Sequence, residues 1–403
     1  MIKKIRVEQV RVGMYVHDFN AGWLDHPFAR NRMKIASDEE LHKLAASGIR
    51  EIFIDTARGV DVADAPTREE AAAATEVSLL ALDTAPRSAV RVALADELTR
   101  AKSVFAEGTR AIRTVMEDAR LGRQLEIEAM SPVVEKIAAS IIRNSNAMMS
   151  MRRLKHLDDY TYLHSVAVCT MLAAFARELD MELADIHSMA LGGLLHDIGK
   201  ARVSAAILNK PKRLTEKEFI HVKSHVVLGA DMLRQMPGVP PLAFAVLELH
   251  HERFDGTGYP QALSGEQISV AGRMAAIVDV YDSITSERCY QAAISPAEAI
   301  RKLFEWSHHH FDSQLVQRFV RSVGIYPVGT LVRLESGRLG IVVEQRESSL
   351  LTPVVRVIFD ARRNYYIPPE NVDLSRPLGA GGGDRIVGHE SPATWKIELD
   401  RFL

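Results

Sequence analysis

HSMALGGLLHDIGKA, residues 187–201, reads as an apolar helix that ends in an adjacent histidine and aspartate, His196-Asp197, with Lys200 one turn further on. A lone His-Asp pair at a helix end is mostly structural, so its weight depends on its surroundings. Residues 155–323 read as a run of helices with no convincing strand. Thr215 with Glu218 forms a capping box, and Ser295-Pro296-Ala297-Glu298 forms another with proline at the first helical position. Ligand-type residues then recur along successive helices. His164 lies in TYLHSVAVCTMLAAFARELD, His225 in TEKEFIHVKSHVVLGADML, His250-His251 at the end of LAFAVLELHHE, and Asp279 in RMAAIVDVYDSITS. Neighbouring sites are separated by about one helix and one connection, so a bundle can gather them at one centre.

That set predicts two metals. Five imidazoles and two carboxylates exceed what one ion takes, and a carboxylate such as Asp197 can bridge ions about 3.5–4 Å apart. Imidazole and carboxylate without thiolate suit iron, manganese, zinc or similar ions. Such an ion lowers the pKa of bound water from 15.7 to about 7, so hydrolysis of a phosphate ester is the expected reaction. Asp279 follows the apolar run MAAIV, where a carboxylate needs a partner.

Bulk composition sets the frame. The chain has 403 residues, 47% apolar and 25% charged, with a formal net charge of −2. It reads as a soluble protein of two or three domains, with no global attraction to polymeric nucleic acid or an anionic membrane. Cys169 and Cys289 are the two cysteines, neither in a paired motif. A reducing, cytoplasmic setting follows. No apolar run approaches the ~18–20 residues that span a bilayer, and the N-terminus lacks a signal-peptide core.

Outward from the helical domain, residues 1–57 read as a small α/β unit. KIRVEQVRVGMYVHDF alternates like strands with a turn near Gly13, Ser37-Asp38-Glu39-Glu40 opens a helix that Gly48 closes, and IREIFID is a strand. Residues 58–87 read as a flexible linker. Residues 88–154 read as a helical connector whose apolar faces are expected to pair across a homodimer. Residues 324–376 read as a small β-barrel-like module, and 377–403 as a loosely ordered tail. The fold expected is therefore mainly α.

HDIGK (196–200), HHERFDGTGYP (250–260) and DVYDSITSERCY (279–290) strongly resemble the HD-GYP branch of the HD phosphohydrolases, which hydrolyse cyclic di-GMP. GMYVHDF (13–19) with WLDHPF (23–28) resembles a domain often found ahead of HD-GYP modules. The resemblance implies an all-helical HD-type bundle at 155–323 and metal binding by His164, His196, Asp197, His225, His250, His251 and Asp279. Asp197 would be the bridge, held to two divalent ions, iron or manganese foremost, with zinc and nickel open. Lys200 would face the substrate phosphate or leaving group, Gly258-Tyr259-Pro260 would form the loop beside the substrate, and Arg288 would grip a phosphate. The expected products are the linear dinucleotide pGpG and then GMP, made by a hydroxide bridging the metals. Signalling partners would dock at the Gly-Tyr-Pro loop or the N-terminal unit.

Two departures stand out. Tyr160 occupies a position where some members carry a glutamate for a third metal, which favours two. Gln291 replaces a basic residue, which weakens one phosphate contact. Rival readings are a silent cyclic di-GMP receptor and an HD hydrolase of another nucleotide, although the plain HD pattern requires neither His250-His251 nor the Gly-Tyr-Pro loop. His308-His309-His310, His17, His26 and His187 are read as outside the site, Met148, Met149 and Met151 as packing, and Arg152, Arg153 and Lys155 as a solvated face.

Overall fold

The computed structural model describes all residues except 22–27, 29, 83–91, 152–159, 209, 211–213, 287–292, 308, 347–348, 377–383 and 403. Two compact units result, Met1–Leu79 and Leu80–Leu403.

The first unit holds strands β1 (Ile2–Arg6), β2 (Tyr15–Asp18) and β3 (Met33–Lys34), helix α1 (Asp38–Ala45), and strand β4 (Glu51–Asp55), followed by helix α2 (Arg68–Leu80). The strands form one antiparallel sheet in the order β1-β4-β2-β3, with Ile5 opposite Ile52 and Val16 opposite Ile54. Alternation places Ile5, Val16, Ile52 and Ile54 in a core closed by Leu44 of α1. The Ser37 hydroxyl caps α1 by accepting from the Glu40 amide.

Residues 58–87, read as a linker, are corrected in part. Lys3 donates through Nζ to Asp61, the Val62 carbonyl and the Ala63 carbonyl, and the Lys4 amide bonds to Pro66. A reciprocal cap between Thr67 and Glu70 then starts α2. Alanine favours helix without any apolar stripe, so weak periodicity hid an element that the cap announces.

The second unit begins with α3 (Leu94–Arg120) and α4 (Ser131–Met151), which is broken at Asn144. Their apolar faces, with Phe105, Ile112 and Met116 on one and Val134, Ile137 and Ile141 on the other, are buried within this chain. The two helices pack on each other and on α5 (Tyr160–Glu178), which covers the apolar faces expected to pair across a homodimer. Glu97 locks the pair. Its fully buried carboxylate accepts from Arg143 through both oxygens (2.8 and 2.7 Å), from Ser140 and from Arg100. Such a carboxylate is tolerable in a core because every lone pair is used.

The bundle continues with α6 (Leu183–Leu195), α7 (Ala205–Leu208), α8 (Glu216–Lys223), α9 (His225–Arg234), α10 (Pro241–Leu249), α11 (Val270–Thr285), α12 (Pro296–Trp306) and α13 (Ser313–Val323). The capping box at Thr215 and Glu218 starts α8, and Ser295 caps α12 ahead of Pro296. Three glycines in the 187–201 stretch explain how the bundle closes. A Cβ on Gly192 would stand 2.7 Å from Val246 of α10, and one on Gly193 would stand 2.8 Å from the Cys169 backbone of α5. A Cβ on Gly199 would run into the His225 carbonyl of α9. Without side chains there, helices that carry histidines can approach α6 and the turn after it.

Strands β5 (Leu331–Leu334), β6 (Arg338–Glu344), β7 (Val354–Asp360), β8 (Tyr365–Asp373) and β9 (Ile386–His389), then helix α14 (Pro392–Trp395), complete the chain. They form one antiparallel sheet in the order β8-β7-β6-β5-β9. It is open, not barrel-like, because β8 and β9 are both edges. The tail read as loose in part belongs to the sheet: β9 pairs with β5, and Trp395 donates to Glu390.

Candidate metal centre

The seven predicted ligands arrive on five helices or their ends. His164 stands in the first turns of α5, and His196 is the C-cap of α6 with Asp197 directly after it. His225 opens α9, and His250 is the C-cap of α10, leaving His251 beyond the helix end. Asp279 lies midway along α11. His164, His196, Asp197, His225 and His250 are each at most 1% exposed, and Asp279 is 6% exposed.

The seven residues converge as two overlapping groups. His164 Nε2 is 3.0 Å from Asp279 Oδ1 and 3.2 Å from His196 Nε2. His225, His250 and His251 form the other group, with His225 Nε2 3.3 Å from His250 Nε2. Asp197 stands between them. Its Oδ2 is 3.4 Å from His196 Nε2, and its Oδ1 is 3.3 Å from His225 Nε2.

Hydrogen bonds decide which ring nitrogens remain as donors to a metal. Nδ1 of His196, His225 and His250 donates to the carbonyl three residues back, of Gly193, Val222 and Leu247. His164 donates through Nδ1 to Asp282 Oδ2 at 2.7 Å. In all four rings Nε2 is therefore directed into the cluster. Burial pushes His225 down to about 4 and His250 to about 3, so both rings are neutral near pH 7. Two lone pairs then face each other across 3.3 Å, and Asp197 Oδ1 is buried with no hydrogen bond among the described residues. A cation bound between them relieves both features.

The other half of the cluster carries charge. Burial alone would lower His196, but Asp197 and Asp279 outweigh it and raise the ring to about 10. Burial likewise opposes ionisation of Asp197, yet Lys200 and His196 hold it well below the ordinary range. Asp279 is held down against burial by His164 and His196. A proton on His196 occupies the place that a metal would take. The donor set fits divalent ions.

Lys200 Nζ reaches Asp197 Oδ2 at 2.5 Å and stays partly exposed. Gly258, Tyr259 and Pro260 line up beside the cluster through Tyr259, whose ring stacks on His251 with centroids 4.6 Å apart. A Cβ on Gly258 would strike the backbone of Glu252 and Arg253, and the Tyr259–Pro260 bond is cis. Arg288 lies outside the described residues, as do Cys289, Gln291, His26, His308, Arg152, Arg153 and Lys155. His309 and His310 are half-buried in a turn, with the His310 carbonyl accepting from the Phe254 amide.

Two buried carboxylates that hold the cluster and its loop carry no signal of their own in the sequence motifs. Asp282 sits one helical turn after Asp279, a spacing that puts both carboxylates on one face of α11. Glu252 is buried and accepts from the amides of Gln261 (2.7 Å) and Leu263 (3.0 Å), closing the loop that carries Tyr259.

Fold and cluster together define an HD-domain protein. A family model described as "HD domain" matches residues 133–315, and one described as a domain of unknown function, DUF3391, matches residues 2–130. A cyclic di-GMP phosphodiesterase of Pseudomonas aeruginosa is 46% identical over 398 residues, covering 98% of this chain and 94% of that protein. A 3'3'-cGAMP-specific phosphodiesterase of Vibrio cholerae is 34% identical over 168 residues, 42% of this chain and 36% of that protein. A solved HDG"Y"P protein from Bdellovibrio bacteriovorus superposes with a TM-score of 0.46 at 18% identity, covering 79% of this chain and 98% of that chain. The chain belongs to the HD-domain family of cyclic di-GMP phosphodiesterases represented by the Pseudomonas enzyme. Among the described residues, no helix is long and apolar enough to cross a membrane.

Proposed function

We propose that this protein hydrolyses cyclic di-GMP to pGpG, and onward to GMP, at a two-metal centre. The observation that carries the reading is the position of Asp197, with one oxygen towards His164 and His196 and the other towards His225 and His250. His164, His196 and Asp279 would hold one ion and His225, His250 and His251 the other, with Asp197 shared. The donor set suits iron or manganese, with zinc and nickel as competitors. Bound there, such ions supply an activated water and polarise the phosphate.

The chain's own residues do the rest. Burial keeps the His225 and His250 rings neutral and excludes bulk water, which strengthens charge interactions at the phosphate. Lys200 holds its ammonium beside Asp197, where it can meet a phosphate oxygen or the leaving group. Arg288 is assigned the second phosphate contact, and Gly258 and Pro260 border the substrate. The long relative that matches almost the whole chain supports cyclic di-GMP over the 3'3'-cGAMP of the shorter match. The N-terminal unit is assigned a regulatory role.

The test is hydrolysis of cyclic di-GMP by purified protein loaded in turn with iron, manganese, zinc and nickel, with 3'3'-cGAMP and (p)ppGpp in parallel. Turnover of cyclic di-GMP with release of pGpG is expected, and Asp197→Ala abolishes both turnover and metal retention. Intact cyclic di-GMP under every metal overturns the enzyme reading. Binding without consumption makes the protein a receptor.

A further inference from the structure

We infer that Tyr259 is a positioning residue that orients the ligand-type side chain His251, and that Lys223 holds Tyr259 in place. The inference rests on the two-metal reading above. A metal-binding histidine ordinarily has its ring fixed by a hydrogen bond from the nitrogen that does not bind. Four of the five histidines meet that condition, through Asp282, Gly193, Val222 and Leu247. His251 does not: among the described residues, no hydrogen bond holds its ring. It is also the most open of the five, with its side chain 24% exposed where the other four stand at 1%. An imidazole just past a helix end would otherwise sample several rotamers.

Tyr259 supplies the missing constraint. Its ring lies on the His251 ring at 4.6 Å with an interplanar angle of 24°, and its amide donates to the His251 carbonyl at 3.1 Å. One residue thus holds both backbone and ring of the same histidine. His225 and His250 meet His251 edge-on and tilted, at 5.1 and 4.1 Å between centroids, so Tyr259 adds a third ring packed against it. Lys223 Nζ sits 4.6 Å from the Tyr259 centroid and equally far from that of Phe219, a cation held between two rings. Glu252 anchors the following backbone at Gln261 and Leu263, so the tyrosine cannot drift with its loop. The Gly-Tyr-Pro segment therefore acts on the site through His251. The stack is made by the aromatic ring of Tyr259, so a phenyl ring should serve.

The measurement is metal content per chain, followed over time in a chelator, for full-length Tyr259→Phe, Tyr259→Leu, Lys223→Met, His251→Ala and Tyr259→Leu with His251→Ala. The phenylalanine variant should keep both ions like the parent. The leucine variant should release one of two ions roughly tenfold faster, in the range of a lost orienting partner, with Lys223→Met in between. The double variant should match His251→Ala alone, because a residue that acts only through His251 adds nothing once it is gone. A leucine variant that holds both ions like the parent and shows only a raised KM overturns the inference and makes Tyr259 a substrate contact. Loss of metal in the phenylalanine variant overturns it too, since the hydroxyl would then be the holding group. A double variant that is additive points to general loop damage and has the same effect. A parent chain that holds no metal sinks the earlier functional reading instead.

Discussion

Asp282 shows how much of a candidate metal site lies behind its ligand-type side chains. Its carboxylate fixes the His164 ring from a fully buried position and leaves Nε2 facing the cluster. Asp282→Asn keeps an acceptor but removes the charge. Metal affinity should fall about 10- to 100-fold, with secondary structure intact. Chelator competition measures this, and unchanged affinity would rule out a role for the charge. Acid sensitivity belongs to the same scale. His225 and His250 are ordinarily near 6.5 but are pushed down to about 4 and about 3 when folded. Between those limits the unfolded chain binds protons that the folded one refuses. Stability from these groups is thus complete above pH 6.5 and is lost as pH falls towards 4. Denaturant titration of metal-free protein should show a midpoint that drops across this window. Loaded protein should release metal on acidification, because protons compete for the imidazoles.

At the scale of elements, the crossing of α6 with its neighbours does the assembling. Gly199 lies where the turn after Asp197 meets α9, and any Cβ there collides with the His225 carbonyl. Gly199→Ala should cost about 1–3 kcal/mol and separate Asp197 from His225. Chemical denaturation and metal content should fall together. A stable variant that has lost its metal would show that the turn yields more readily than the core. Glu97 illustrates the opposite economy, where a buried charge is kept because Arg143, Ser140 and Arg100 satisfy it fully.

For the whole molecule, the unit boundary at Leu79 and Leu80 differs from the edge of the family match at residue 133. Helix α3 lies between the two positions and packs on α4, α5 and the turn carrying Lys200. A chain beginning at residue 80 should stay monodisperse and hold its metals. One beginning at residue 133 should aggregate, because Val134, Ile137 and Ile141 would lose their cover. Gel filtration with metal analysis separates these outcomes, and a well-behaved 133–403 fragment would make α3 dispensable.

The convergence of His164, His196-Asp197, His225, His250-His251 and Asp279 was legible from their order, because metal donors belong to few residue types and a bundle imposes a helix-length rhythm on them. Helix starts at Thr215 and Ser295 were legible too, since a cap is a local hydrogen bond written in adjacent residues. The roles of Asp282, Glu252 and Tyr259 were not, because each acts on a partner across a turn, loop or bundle. The burial of α3 against its own chain, and the open sheet that takes in β9, also depended on tertiary structure. An apolar face states that it must be covered, but only the packed chain decides by what.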